Sequence, residues 1–201
     1  MTYRTTMDFN YGGGAKQNIG HIISKFGVPS SIIEVGVFEG GTTFWMSDEL
    51  TPMNPNLKIY AVDPHVGSND MSENPVDIQA NFAHNLSINT NKNVEYIRKH
   101  SESGLIELIN RGVKAEIIYI DGDHKAGEVL TDLVLSYKLL VTGGVIICDD
   151  TGDWQYTDDN GTKAAHMCPR LAVEMFMACN WHNIKPLALP NTGQTAFIKL
   201  C

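Results

Sequence analysis

Acidic side chains stand directly after two apolar, strand-like segments of the sequence. Asp121 follows residues 116–120, and Asp149 and Asp150 follow residues 145–148. If the two strands are neighbours, these carboxylates meet at one sheet edge and repel one another unless a cation compensates them. An all-oxygen set suits Mg²⁺, Mn²⁺ or Ca²⁺ better than Zn²⁺. We therefore predict a divalent-cation site; the alternatives are a helix N-cap or a solvated turn.

A histidine lies beside this acidic pattern. His124 follows Asp121 by three positions. A reference pKa of about 6.5 suits a general base near neutrality. We predict that His124 accepts a proton during catalysis, and the alternative is an ordinary surface or packing histidine.

A glycine-containing stretch, residues 34–43, follows another strand-like run, and its glycines permit a tight turn and close backbone approach to a ligand. The spacing of Gly36 and Gly40 is not the dinucleotide fingerprint, and the stretch lacks the lysine of a phosphate-binding loop. Glu34 would repel a pyrophosphate and attract an amino group. Asp63, which ends the next strand, is placed to accept both hydroxyls of a ribose. An ordinary strand-to-helix turn and a simple turn former before Pro64 are the alternatives.

Strand and helix patterns alternate along the chain, which predicts a mainly parallel α/β sheet with helices on both faces. The five strand-like runs of this part are residues 31–37, 57–62, 94–98, 116–120 and 145–148. The helical patterns cover residues 18–26, 42–50, 76–88, 104–110, 126–140 and 171–179. Two late strands, 182–187 and 194–200, flank a tight turn and predict a hairpin. Loops 64–75 and 151–169 are candidate active-site walls.

Size and charge limit the classes of function. The chain has 201 residues, which predicts one domain, residues 1–201, either alone or as part of a longer protein. The net charge is −8, and no cluster of lysine and arginine is present to bind a phosphate backbone or an anionic membrane. The cysteines form no CxxC pair, and the first residues lack the apolar core of a signal peptide. We expect free thiols, a cytoplasmic protein, and neither nucleic acid nor membrane as a partner.

Residues 34–43 together with residues 60–63 resemble the first two motifs of class I S-adenosylmethionine methyltransferases. The resemblance implies a Rossmann-like, doubly wound, mainly parallel seven-stranded sheet that ends in an antiparallel hairpin. It implies S-adenosylmethionine (SAM) as cofactor, with glycines at the methionine part, Asp63 at the ribose, and Ser101 and Glu102 beside the adenine. The full set of implied cofactor contacts is Glu34, Gly36, Gly40, Thr42, Asp63, Ser101, Glu102 and Asp121.

Residues 120–125 and 143–150 resemble a subgroup of small metal-dependent O-methyltransferases that act on macrolide sugars and rhamnose-bearing glycans. This resemblance makes the two acidic strands neighbours, with Asp121, Asp149 and Asp150 as metal ligands and His124 as the base. The related catechol enzymes generally have lysine where this chain has His124 and asparagine where it has Asp150. These two departures favour the sugar branch.

The expected function is a SAM-dependent O-methyltransferase that uses a divalent metal, Mg²⁺ or alternatively Mn²⁺. The expected acceptor is a hydroxyl of a sugar or glycan, for example a rhamnose-type residue. A catechol or phenol acceptor is the alternative among enzymes, and a catalytically silent cofactor-binding module is the alternative outside them. The acidic cluster argues against the silent module, because packing alone gives no reason to gather carboxylates. The identity of the acceptor and the oligomeric state stay open.

Overall fold

The computed structural model describes residues 2–6, 13–66, 75–152 and 164–201. Helices and strands alternate through it, as the sequence predicts. The helices are α1 Gly13–Phe26, α2 Gly41–Leu50, α3 Pro75–Ile88, α4 Ser101–Asn110, α5 Ala126–Leu139 and α6 Pro169–Cys179, with a 3₁₀ turn at Ala165–Met167. The strands are β1 Ser31–Val35, β2 Lys58–Val62, β3 Val94–Ile97, β4 Ala115–Ile120, β5 Leu140–Cys148, β6 Ile184–Leu187 and β7 Thr195–Lys199.

One seven-stranded sheet has the order β3-β2-β1-β4-β5-β7-β6. Strands β1 to β5 are parallel, and β7 runs antiparallel to both β5 and β6. This confirms the predicted doubly wound sheet and its terminal hairpin. The chain leaves β1 toward β2 and later returns to β4 on the other side of β1. Ligands bind at such a switch point, outside the carboxyl ends of the strands.

The strand register brings the strand ends to one level. Val35 pairs with both Val62 and Ile120, and Ile120 pairs with Cys148. Each of these four residues ends an apolar strand, so the next residue of each chain segment leaves the sheet at the same edge. The first polar residues after β4 and β5 therefore emerge from neighbouring strands, as predicted, and Asp63 lies at the same edge on the far side of β1.

Helices cover both faces of the sheet, which is why its parallel strands are apolar almost throughout. In β1, Ile33 points into a core with Leu105, Leu133 and Phe176 from α4, α5 and α6. Its neighbour Ile32 points to the opposite side, into a second core that α1 and α2 complete. Successive side chains of a strand alternate between faces. The two cores fix the strands that carry the site.

Several element bounds differ from the sequence prediction; for example, α1 begins at Gly13 rather than at Asn18, and β1 ends at Val35 rather than at Val37. Strand β5 begins at Leu140, whereas the sequence predicts a turn at residues 143–144 and a strand from Val145. A register shift between Ala115 and Ile117 accommodates this start, and Gly143 has a φ of 83°.

Loops 64–75 and 151–169, the predicted site walls, lie largely outside the described residues. All four cysteines are free thiols. In the described part of the chain, no helix has the length and apolar character needed to cross a membrane.

Candidate active site

Gly36 lets two strand-end loops touch. Its φ of 79° lies in the left-handed region, and an added Cβ would meet the backbone oxygen of Asp121 and lie 2.6 Å from Cα of Gly122. No other residue type fits this approach without displacing the backbone. The loop between β1 and α2, residues 36–41, is called the cofactor loop below. Gly36 therefore joins the cofactor loop directly to the acidic end of β4.

Asp63 holds the cofactor loop by its backbone. One carboxylate oxygen accepts the N–H groups of Val37 at 2.8 Å and Phe38 at 3.2 Å. The other oxygen accepts the N–H of His65 at 2.7 Å. A carboxylate offers about four acceptor positions, so Asp63 retains capacity for a ribose hydroxyl. This leaves room for one ribose hydroxyl rather than for the two that the sequence predicts, and the ribose contact itself stays a prediction.

Glu34 lies at the end of β1 with only 2% of its surface exposed. The Thr43 hydroxyl donates a hydrogen bond to it at 2.5 Å. Burial raises the pKa of Glu34 to about 8, Thr43 opposes the rise, and the nearby charge of Asp63 adds to it. An ammonium group beside Glu34 would favour its ionised form. The assignment of Thr42 as a cofactor contact stays a prediction.

The N-terminal residues pack against the cofactor loop. The Thr6 N–H donates to one carboxylate oxygen of Glu39, and Asn81 of α3 donates to the other, both at 2.7 Å. Asn85 donates to the carbonyl oxygens of Glu39 and Arg4. Glu39 is buried, so these bonds satisfy a carboxylate that water does not reach. The loop is thereby held between α3 and the chain start.

Asp121, His124 and Asp150 form the candidate metal centre. Each offers one ligand atom, and these atoms lie within 4.8 Å of one another. Nε2 of His124 lies 2.9 Å from a carboxylate oxygen of Asp150. Burial and then the neighbouring carboxylates of Asp149 and Asp150 raise the pKa of Asp121 well above its usual range. A divalent cation would relieve that repulsion, and the two carboxylates suit Mg²⁺ or Mn²⁺. The histidine nitrogen departs from the all-oxygen set that the sequence predicts.

Asp149 lies beside this group with its oxygens turned elsewhere. The Tyr119 hydroxyl donates to one of them, and the N–H of Asp150 donates to the other at 2.8 Å. The Tyr119 hydroxyl also lies 3.2 Å from an oxygen of Asp121. From the sequence, Asp149 is expected to be a metal ligand and His124 a general base. The structure groups His124 with Asp121 and Asp150, and Asp149 with Tyr119.

A buried polar chain leads away from Tyr119. The Gln194 side chain donates to the Tyr119 hydroxyl at 3.2 Å, and its amide oxygen accepts from Asn18 of α1 at 2.7 Å. The Asn18 side chain bonds both backbone groups of Asn191. These residues were not predicted from the sequence. A tyrosine within the apolar β4 and an asparagine within the apolar face of α1 could have indicated a buried polar contact.

The remaining predicted cofactor residues lie at the same sheet edge. Ser101 and Glu102 form the first turn of α4, directly after β3. Glu102 is exposed, whereas Ser101 is partly buried beside Asp132 of α5. Burial raises the pKa of Asp132 to about 7, and the Ser101 hydroxyl opposes the rise. The adenine assignment of Ser101 and Glu102 stays a prediction.

A cavity of about 480 Å³ opens beyond the acidic group. Its lining includes Thr151 and Gly193 at the sheet edge, Val173 and Arg170 of α6, and Thr195 of β7. Thr151 follows Asp150 directly in the chain. The cavity therefore offers hydroxyls, an aliphatic wall and a guanidinium group on the side of the acidic group away from the cofactor loop.

Solved structures share this fold at low sequence identity. TomG from Streptomyces achromogenes, an O-methyltransferase of tomaymycin synthesis solved with SAM, has a TM-score of 0.67 and 14% identity over 93% of this chain and 80% of its own. An O-methyltransferase from Bacillus cereus has a TM-score of 0.65 and 18% identity over 99% and 84%. CalS11, a TDP-rhamnose 3'-O-methyltransferase of calicheamicin biosynthesis, has a TM-score of 0.59 and 15% identity over 92% and 79%.

Similarity in sequence, and not in fold alone, links this chain to known proteins. The uncharacterized protein R132 of Acanthamoeba polyphaga mimivirus is 31% identical over 135 residues, which are 62% of this chain and 53% of that protein. The chain thus spans about half the length of this relative. The family described as methyltransferase domain matches residues 33–151, which run from β1 past the acidic end of β5. These residues carry the cofactor loop and the candidate metal centre, and the chain belongs to the methyltransferase domain family.

Proposed function

We propose that this protein is a SAM-dependent O-methyltransferase that requires a divalent cation. One observation carries the proposal: Gly36 of the cofactor loop touches the backbone of Asp121, and Asp121 shares the candidate metal centre with His124 and Asp150. Cofactor and acceptor sites that meet at one residue are what methyl transfer requires, because the two reactants must be held in contact and in line.

Each residue then has a defined task. Glu34 and Asp63 take the amino group and the ribose of SAM, and Gly36 and Gly40 let the backbone approach the methionine part. Asp121 and Asp150 hold the cation, with Asp149 beside them, and Mg²⁺ is the expected ion. A bound divalent cation lowers the pKa of a coordinated hydroxyl. The Asp150 carboxylate can only accept a hydrogen bond, so Nε2 of His124 donates to it and the ring is oriented by this contact. His124 then accepts the acceptor's proton at Nδ1.

The proposed acceptor is a sugar or glycan hydroxyl. His124 and Asp150 occupy the two positions at which catechol enzymes generally have lysine and asparagine. These two differences favour the sugar branch. CalS11, whose name identifies a rhamnose derivative as its acceptor, has the same fold. The cavity beside Thr151 supplies hydroxyl groups and Arg170, which are suited to hydrogen bonding with a polyol.

Methyl transfer from labelled SAM to a panel of acceptors tests the proposal. The panel contains rhamnosides and nucleotide-activated rhamnose, other hexosides, and catechol, each assayed with Mg²⁺ and with excess chelator. We expect labelled product from a rhamnoside that disappears with chelator. Asp150→Ala is the inactive control, and Glu49→Gln, an exposed change on α2, is the active one. Transfer to catechol alone would overturn the sugar acceptor, and full activity in chelator would overturn the metal requirement.

A further inference from the structure

We propose that His65 is a positioning residue that holds the cofactor loop in its SAM-binding conformation. The inference rests on the proposed use of SAM. His65 follows Asp63 and Pro64 at the end of β2, and 1% of its side chain is exposed. Its imidazole makes no contact with the candidate metal centre. The ring instead bridges the cofactor loop and β3.

Both ring nitrogens of His65 have partners that define their roles. Nε2 lies 2.6 Å from the carbonyl oxygen of Phe38, which can only accept a hydrogen bond, so Nε2 donates. Nδ1 lies 2.5 Å from the Tyr96 hydroxyl, which donates to it in the neutral ring, and 3.7 Å from a carboxylate oxygen of Asp63. The neutral Nε2–H form of the ring satisfies both contacts at once.

Phe38 is the residue that this contact constrains. It has a φ of 49°, in the left-handed region that residues with a Cβ rarely adopt. Asp63 accepts the N–H of Phe38, and His65 donates to its C=O. Both backbone polar groups of one strained residue are thus fixed by two residues of the β2–α3 segment. Loss of the His65 contact leaves the C=O of Phe38 without this donor, whereas Glu39 and Gly40 keep their own hydrogen bonds to Asn85 and Val37.

The surroundings of His65 keep its ring in place. Its ring centroid lies 4.9 Å from that of Phe82 and 5.3 Å from that of Tyr96. His65 itself has a φ of 50°. Unfavourable backbone conformations persist where surrounding contacts over-determine them, and such positions cluster at ligand sites. Two of them, Phe38 and His65, are joined here by a single hydrogen bond.

Calorimetric titration of SAM into His65→Leu and His65→Gln tests the proposal. His65→Leu removes the donor to Phe38, and we expect its SAM dissociation constant to rise about tenfold, with turnover at saturating SAM nearly unchanged. The glutamine amide reaches the same carbonyl, so His65→Gln should stay within about threefold of the wild type. In the unliganded protein, amide hydrogen exchange at residues 37–38 should accelerate in His65→Leu and not in His65→Gln.

Phe197→Leu is the matched control for lost aromatic packing, because Phe197 of β7 is buried in the core that contains Phe176 and lies outside the cluster that contains Val37 of the cofactor loop. It should lower the thermal midpoint and leave the SAM dissociation constant within about twofold. If His65→Leu lowers only the midpoint while SAM affinity and exchange at the loop match the wild type, His65 is merely structural and the proposal is wrong. A wild-type protein that binds no SAM would overturn the proposed function itself.

Discussion

At the scale of single residues, the site depends on pairings that fix otherwise ambiguous side chains. His124 is paired with Asp150, and Asp149 with Tyr119. A histidine bonded to a metal-binding carboxylate can act as a base, with the carboxylate orienting it, or as a ligand itself. The two roles predict different losses when His124 is replaced.

His124→Ala should lower turnover by roughly 10²–10⁴-fold, the usual contribution of a positioned base, while SAM and cation affinities change little. Because a base must be deprotonated to act, the wild-type rate should rise with pH, and this rising limb should vanish in the variant. Initial rates over a pH series and calorimetric titration with Mg²⁺ measure both effects. A variant that loses cation binding together with activity would make His124 a ligand instead.

Tyr119→Phe removes the hydroxyl that bonds Asp149 and lies beside Asp121. Side chains that orient metal ligands typically change metal affinity about 10–100-fold, so we expect a weakening at the low end of that range with the fold intact. Tyr137→Phe is the control, because the Tyr137 hydroxyl bonds the carbonyl oxygens of Asn183 and Cys201. Equal Mg²⁺ affinities in the two variants would contradict the role given to Tyr119.

At the scale of elements, residues in the turns after β1, β2 and β4, rather than in the strands themselves, shape the candidate site. The cofactor loop is held by Asp63 and His65 from β2, by Thr6 and Asn81 through Glu39, and by Gly36 against β4. A loop fixed from three sides can present a ligand-binding surface without reorganising. Such preorganisation lowers the entropy that binding would otherwise cost.

Gly36→Ala tests the contact between the β1 and β4 turns. An alanine Cβ would overlap the Asp121 backbone, and the left-handed φ adds strain. We expect SAM binding to fall below detection by calorimetry. Gly20→Ala is the control, because Gly20 lies in α1 with nothing within 4 Å of its added Cβ. It should raise the free energy of unfolding by up to about 1 kcal/mol and leave SAM affinity unchanged. Wild-type affinity in Gly36→Ala would refute the contact.

At the scale of the whole molecule, buried carboxylates make stability depend on pH. The raised pKa of Asp132, about 7, means that the folded state holds this proton more tightly than the unfolded state. Its stabilising contribution is complete below about pH 4 and is lost as the pH rises through 7. Glu34, with a pKa of about 8, adds a loss in the same direction.

Asp132→Asn should therefore flatten part of the pH profile. Between pH 6 and pH 8, one group with a pKa near 7 costs about 1.4 kcal/mol of unfolding free energy, and the variant should lack this loss. Urea unfolding at both pH values measures the difference. Glu49→Gln, an exposed change on α2, should keep the wild-type dependence. An unchanged slope in Asp132→Asn would show that Asp132 is ionised throughout.

The ends of β2, β4 and β5, and the acidic residues that follow them, could be predicted from the sequence. Apolar runs that stop at Asp63, Asp121 and Asp149 define a parallel sheet with polar groups at one edge, because burial on both faces requires apolar strands. The alternation of elements and the terminal hairpin followed from the same local patterns. The membership of the chain in a methyltransferase family confirms the class of protein that these motifs predict.

Which side chains face one another could be read only from the tertiary structure. Asp149 contacts Tyr119, and His124 contacts Asp150. The partners in each pair come from different strands or turns, so local sequence does not predict their contact. The ring nitrogens of His65 contact Phe38 and Tyr96, which are 27 and 31 positions away in the chain. Side-chain direction at a strand end depends on a single backbone φ and on contacts distant in sequence, and no local pattern specifies either.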